Sequence, residues 1–193
     1  MTAPYKFDRG QRIKAAGGSA DMGFIAHLEL SAAETVAADA DGIAQITMKT
    51  TKQTITEDLG AMPYARNLTA VGTASGITGD LKVTGTNMDG EEITETLALN
   101  GTTPVTGSKA FASVTQVEVP VRHAADDAVQ IGWGVKFGIP YKLALNTVLA
   151  AYVNGTKEAT APTVAVSEDA LESNTISMNT VPSGKATHYY LIV

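Results

Sequence analysis

Apolar and polar residues alternate with a period of two along most of this chain, and turn dipeptides break the alternation at short intervals. Successive side chains of a strand point to opposite faces, so this period builds half-buried strands. A helix needs apolar residues at every third or fourth position, and no long segment shows that spacing. From Phe24 the run FIAHLEL places Phe24, Ala26, Leu28 and Leu30 on one face. After the turn signal Asp41-Gly42, Ile43, Gln45, Thr47 and Lys49 alternate with Ala44, Ile46, Met48 and Thr50. The stretch between, SAAETVAADADG, fits either a short helix or a strand with a loop.

The pattern is clearest over residues 67–120, where NLTAVGT, DLKVTGTN, EEITETLAL and FASVTQVEVP follow one another. Asn87-Met88-Asp89-Gly90 predicts a hairpin between the second and third of these, and Asn100-Gly101 a further turn. Pro120 closes the fourth run, where a missing N–H is tolerated. In IGWGVKFGIPYKL, glycines alternating with Trp133, Val135 and Phe137 suit a strand that another backbone approaches closely. NTVLAAYV then ends in Asn154-Gly155, and TVAVS, NTISMN and THYYLIV are the last candidates. The final YYLIV is β-prone enough that a sheet or a partner should cover it. About ten strands with short turns predict an all-β fold, a β-sandwich or a barrel-like (jelly-roll-type) domain.

Residues 1–23 differ in kind. Lys6, Arg9, Arg12 and Lys14 accompany the single acid Asp8 in the first twenty residues, and neither period is present. The expectation is an extended N-terminal arm over 1–23 before a β-sandwich domain over 24–193, the arm either frayed or reaching over a neighbouring subunit.

Charged residues are only 18% of the 193, against the usual ~25%. Uncharged polar side chains, threonine above all, must therefore make much of the surface, and threonine suits a pleated strand facing water. A net charge of −6 argues against nucleic acid, whose phosphates select basic surfaces, and against an anionic membrane. No cysteine is present, which excludes disulfides and thiolate zinc sites. The opening residues lack the apolar stretch of a secretory signal, and no apolar run approaches a membrane span.

Catalytic patterns are thin. His27, His123 and His188 are far apart in sequence, so a metal site would have to be assembled from distant strands; one solvated histidine per strand or loop is the simpler expectation. Asp39-Ala40-Asp41-Gly42 matches a fragment of a calcium loop without its distal glutamate, and Asp126-Asp127 reads as turn acids. Glu91, Glu92 and Glu95 invite a glycosidase pair, but read better as the polar outer face of a hairpin. No Gly-x-Ser-x-Gly elbow occurs, and Gly132-Trp133-Gly134 lacks the lysine and hydroxyl of a phosphate loop. The expectation is a protein that is not an enzyme, with no cofactor and no metal.

From Pro63 to Leu145 the chain resembles a family of small structural proteins, head or capsid auxiliary proteins, of tailed bacteriophages and prophages. The resemblance is carried by Arg66-Asn67-Leu68, Thr84-Gly85-Thr86-Asn87, the Asp89-Gly90 turn and Leu99-Asn100-Gly101-Thr102-Thr103. Gly107-Ser108-Lys109-Ala110-Phe111 and Gly138-Ile139-Pro140-Tyr141-Lys142-Leu143 extend it. It implies a virion protein made in the host cytoplasm. The leading expectation is a capsid decoration (cement) protein on the outer surface of the head, bound to the major capsid protein and self-associated as a homotrimer. A tail component (tube, tail-completion or baseplate protein) is the alternative, then a virion-tip adhesin or carbohydrate-binding module. Tyr5, Lys6, Phe7, Arg9 and Arg12 are the expected contacts with the capsid or a neighbouring copy. Trp133 and Phe137 come second, ordinary core packing being the stronger of the two readings for Trp133.

Overall fold

The computed structural model describes residues 12–15, 17–21 and 23–193, and over them the chain is all-β. In chain order the first strands are β1 Arg12–Ala15, β2 Gly18–Asp21, β3 Ile25–Leu30, β4 Asp39–Thr47 and β5 Gln53–Ile55. The middle of the chain gives β6 Arg66–Gly72, β7 Thr78–Thr86, β8 Glu92–Asn100, β9 Val105–Phe111, β10 Ser113–Val119 and β11 Ala128–Gly138. The last are β12 Val148–Val153, β13 Thr156–Lys157, β14 Thr163–Ala165, β15 Thr175–Ser177 and β16 Thr187–Ile192, with one 3-10 turn at Leu171–Ser173.

Three antiparallel sheets result, beside the β1–β2 hairpin. The first has the order β5-β10-β7-β8. The second runs β14-β15-β11-β6-β9, with β4 alongside β11; the third is β13-β12-β16-β3. Only Ala112 separates β9 from β10, so the chain passes directly from the second sheet into the first, and the two wrap one core as a curled half-barrel. On the open side β8 approaches β9, and Glu95 spans the gap. Its Oε1 accepts from the Ser108 N–H at 2.7 Å, the Ser108 hydroxyl at 2.9 Å and the Lys109 N–H at 3.3 Å. Glu95 thus lies on the Ile93/Leu97 face of β8, which is the core face, and not on a polar outer face. The reason is the neighbouring strand: the β9 backbone offers N–H groups that a carboxylate can satisfy.

Two apolar clusters fill the molecule. Leu68, Ile77, Leu81, Val83, Phe111, Val117, Val129 and Ile131 anchor the first, between the first and second sheets. Leu30, Phe137, Ile139, Val148, Ile176, Tyr189 and Leu191 anchor the second, beneath the third sheet. Strand β11 contributes to both.

The turn chemistry is local. Asn87 Oδ1 accepts from the N–H groups of Asp89 and Glu91, both at 3.0 Å, and Gly90 takes φ +80°, a conformation that favours glycine. Asn154 and Gly155, at φ +51° and +75°, form the two-residue loop between β12 and β13. Asp41-Gly42 departs from expectation: both residues lie inside β4. A Cβ on Gly42 would collide with the Trp133 ring, so this glycine admits an indole and does not make a turn.

Two phenols sit at the second cluster, Tyr189 fully buried and Tyr64 partly so. Burial, and then the Glu34 charge, pushes Tyr64 from 10.0 to about 12; burial, then Tyr64 and Tyr141, raises Tyr189 well above its ordinary value. Above pH 10 the unfolded chain releases phenolic protons that the folded chain keeps. Stability therefore falls as the pH rises from 10.0 to about 12. Arg66, which burial lowers to about 10, works in the opposite direction over this range. Denaturant titration across it should show Tyr64→Phe losing stability less steeply than the parent, by about 1.4 kcal/mol per pH unit. Equal slopes would contradict this assignment.

Candidate functional site

The third sheet has one face on the second core and an outer face of unusual composition. Strands place their side chains alternately, so inward Tyr189 and Leu191 leave His188 and Tyr190 outward on β16. The pairing register sets partners beside them: Tyr190 opposes His27 of β3 and Ala150 of β12. His188 opposes Glu29 and Tyr152, and Tyr152 opposes Lys157 of β13. The His27 ring stacks on Tyr190 with centroids 4.5 Å apart and planes 9° from parallel. His188 meets His27 edge-on at 5.7 Å and Tyr152 at 5.0 Å. Two histidines and two tyrosines thus form one partly exposed aromatic row, with Glu29 at one end and Lys157 at the other.

At the foot of this sheet, beyond the end of the core, apolar side chains are exposed on both faces. Phe24 and Val193 extend the β3–β16 ladder by a reciprocal pair of backbone bonds, 3.0 and 2.9 Å. Phe24 is 84% exposed, Ile25 61% and Val193 39%, and Leu149 of the neighbouring strand is 36% exposed. Clustered apolar exposure of this kind marks an interaction surface. Beside the β12–β13 turn a cleft of about 380 Å³ is lined by Lys157, Glu158, Asn179, Thr180 and Lys185 among others. Among the described residues, no group of three or more histidines and acids is placed to hold a metal ion.

The residues expected at a contact fall in different places. Tyr5, Lys6, Phe7 and Arg9 lie outside the described residues. Arg12 opens β1 opposite Asp21 in a hairpin that the aperiodic arm sequence gave no reason to expect. Phe137 is 1% exposed, under the Arg66 guanidinium at 4.7 Å, so it is a core residue with no surface to offer a partner. Trp133 is half-buried against the first core, and its Nε1–H donates to the Ala37 carbonyl at 3.1 Å.

Of the histidines, His123 lies apart, its ring over Gly76. His27 and His188 come together from strands far apart in sequence. Their outward direction was legible in the alternation of FIAHLEL and THYYLIV. Their proximity was not, because register is a tertiary property. Asp127 is a turn acid: its Oδ2 accepts from the His123 and Ala124 N–H groups at 3.0 and 2.7 Å. The chain matches no family model, no curated protein and no solved structure.

Proposed function

We propose that this protein is a non-enzymatic virion component, a capsid decoration protein that binds the outer surface of the major capsid lattice and stabilises the head. The observation that carries the reading is the exposure of Phe24, Ile25, Leu149 and Val193 at the foot of the third sheet, Ile25 on the same face as the aromatic row, on a chain whose net charge is −6. The residues 63–145 whose motifs resemble phage head proteins support it. A decoration protein needs a soluble β body with one sticky end and no chemistry. If it binds only the assembled lattice, mass action stabilises that lattice.

Purified protein should saturate expanded heads at hundreds of copies per particle, and subtomogram averages should place it on the capsid. A chain lacking residues 1–20, and with them most of the β1–β2 hairpin, should bind at least about tenfold more weakly, a loss of ~1.4 kcal/mol, while circular dichroism shows the β-domain still folded. A handful of copies confined to the tail would replace this reading with that of a tail component. Undiminished binding by the truncated chain would remove the arm from the contact.

A further inference from the structure

Among the described residues, sheet edges outside the β1–β2 hairpin are short or blocked, with one exception. β5 and β14 have 3 residues each and β13 has 2. β8 and β9 face each other across the Glu95 bridge. The outer side of β4 is met by a loop, with the Gly60 N–H donating to the Ile43 carbonyl at 2.8 Å. β3, six residues long, pairs with β16 on one side, and among the described residues no strand pairs with the other. It contains no proline, no lysine and no bulge, the usual devices that protect an edge.

The alternation of the ladder shows what this edge offers. Phe24 and Val193 exchange both backbone bonds, so Ala26, Leu28 and Leu30 also face β16 with their polar groups. The N–H and C=O groups of Ile25, His27 and Glu29 therefore point outward, a template for an added strand.

The hairpin before β3 indicates what fills it. Its turn is tied to the foot of β12, where the Gly17 N–H donates to the Asn146 carbonyl at 2.7 Å. Its open end, Arg12 opposite Asp21, precedes Gly23 at the foot of β3. The chain thus enters the hairpin from the open-edge side of the sheet, travelling inward. The eleven residues before Arg12 can span about 36 Å, enough to cover a six-residue edge of about 20 Å on an adjacent molecule. The arm as a whole has no strand period, but on an extended backbone Tyr5 and Phe7 would share one side, opposite Lys6 and Asp8, and offer two aromatics to the His27/Tyr190 row. Lys6 and Arg9 suit Glu29.

We propose that residues 1–11 of one copy add as a strand to the open edge of β3 in the next copy. Such a contact closes as a two-fold pair when two copies exchange segments, or as a ring when it passes head to tail through a rotation that closes, and three copies would make a homotrimer. The test uses protein alone, so its result is separate from whether the protein sits on a capsid or a tail. Full-length chain, a chain lacking residues 1–11, and His27→Pro are compared by sedimentation velocity, with circular dichroism to report folding. Proline at 27 removes an outward N–H and leaves the bonds to β16 in place. The full chain should form a closed oligomer and both variants should sediment as folded monomers. A peptide of residues 1–11 should bind the truncated chain, and bind it at least about tenfold more weakly when it also carries His27→Pro. Association surviving in either variant overturns the proposal. So does a monomeric full chain, including one in which the peptide still binds the truncated form, since the segment would then close on its own edge.

Discussion

Arg66→Ala is expected to destabilise the fold by about 3 kcal/mol, a fall in melting temperature of roughly 6–12 °C for a chain of this size. Arg66 is 1% exposed and no carboxylate is among its partners. Instead Nη1 donates to the Val36 carbonyl at 2.8 Å, Nη2 donates to the Gly134 carbonyl, and the guanidinium lies over the Phe137 ring at 4.7 Å. Burial without a counter-charge pulls its pKa down to about 10, so it remains charged at neutral pH. Two effects oppose each other on truncation. Alanine removes the cost of desolvating a cation, but it orphans two carbonyls, deletes the cation–π contact and opens a cavity between the two clusters. The second group is larger, because each bond to a charged donor contributes about 1.5–3 kcal/mol. Arg66→Lys should also lose stability, since an ammonium lacks the planar fork that reaches both carbonyls while stacking on a ring. Chemical denaturation of the three proteins checks the argument, and an alanine variant within about 1 kcal/mol of the parent would refute it.

The second large effect is expected at Asn174, in the segment that links β14 to β15. Its side chain is fully buried and holds two loops together. Oδ1 accepts from the Leu143 N–H at 3.1 Å and the Ser167 N–H at 2.8 Å. Nδ2 donates to the carbonyls of Ser167 and Ala170, both at 2.9 Å, and Leu171 at 3.3 Å. In Asn174→Ala the Leu143 N–H and the Ser167 carbonyl keep each other at 3.2 Å, and the Ala170 and Leu171 carbonyls keep backbone donors. The Ser167 N–H loses the asparagine oxygen without such a substitute, so the cost is about 3 kcal/mol. Asn174→Asp should cost more than alanine, because it turns a second oxygen toward three carbonyls and buries a charge. Thermal melts of the pair decide this; an aspartate variant as stable as the parent would show that the amide does not face those carbonyls.

Much of the fold was legible where one face of a strand is buried. The β7–β8 hairpin follows its sequence closely: Asp89-Gly90 turns, Thr86 pairs with Glu92, and Leu81 meets Leu97. In β11 the alternating glycines mark close approach as expected, a Cβ at Gly132 colliding with the Asp39 carbonyl and one at Gly134 with the Asn67 amide. The YYLIV segment is covered by the sheet, with Tyr189 and Leu191 fully buried in a central strand. What failed to show in sequence depends on the partner strand. Ile43 and Ile46 are both buried although alternation assigns them opposite faces, and the β4–β11 register shifts between Ile131 and Trp133. Phe24 shares the alternation of Leu28 and Leu30 but lies beyond the end of the core. Of the two readings of the stretch after β3, a loop with a strand is the one found: a turn around Thr35, whose hydroxyl donates to the Lys185 carbonyl at 2.7 Å, is followed by the start of β4 at Asp39. The aromatic row was invisible for the same reason: each half of it alternates correctly, and only the β3–β16 register joins the halves.

Strand β11 passes Ile131 into one apolar cluster and Phe137 into the other. Its backbone is therefore the mechanical link between the two halves of the molecule. The third sheet shares no strand with the half-barrel, so a load on it passes through the apolar cluster that Phe137 joins and through the connecting chain, into a strand hydrogen-bonded to β4, β6 and β15.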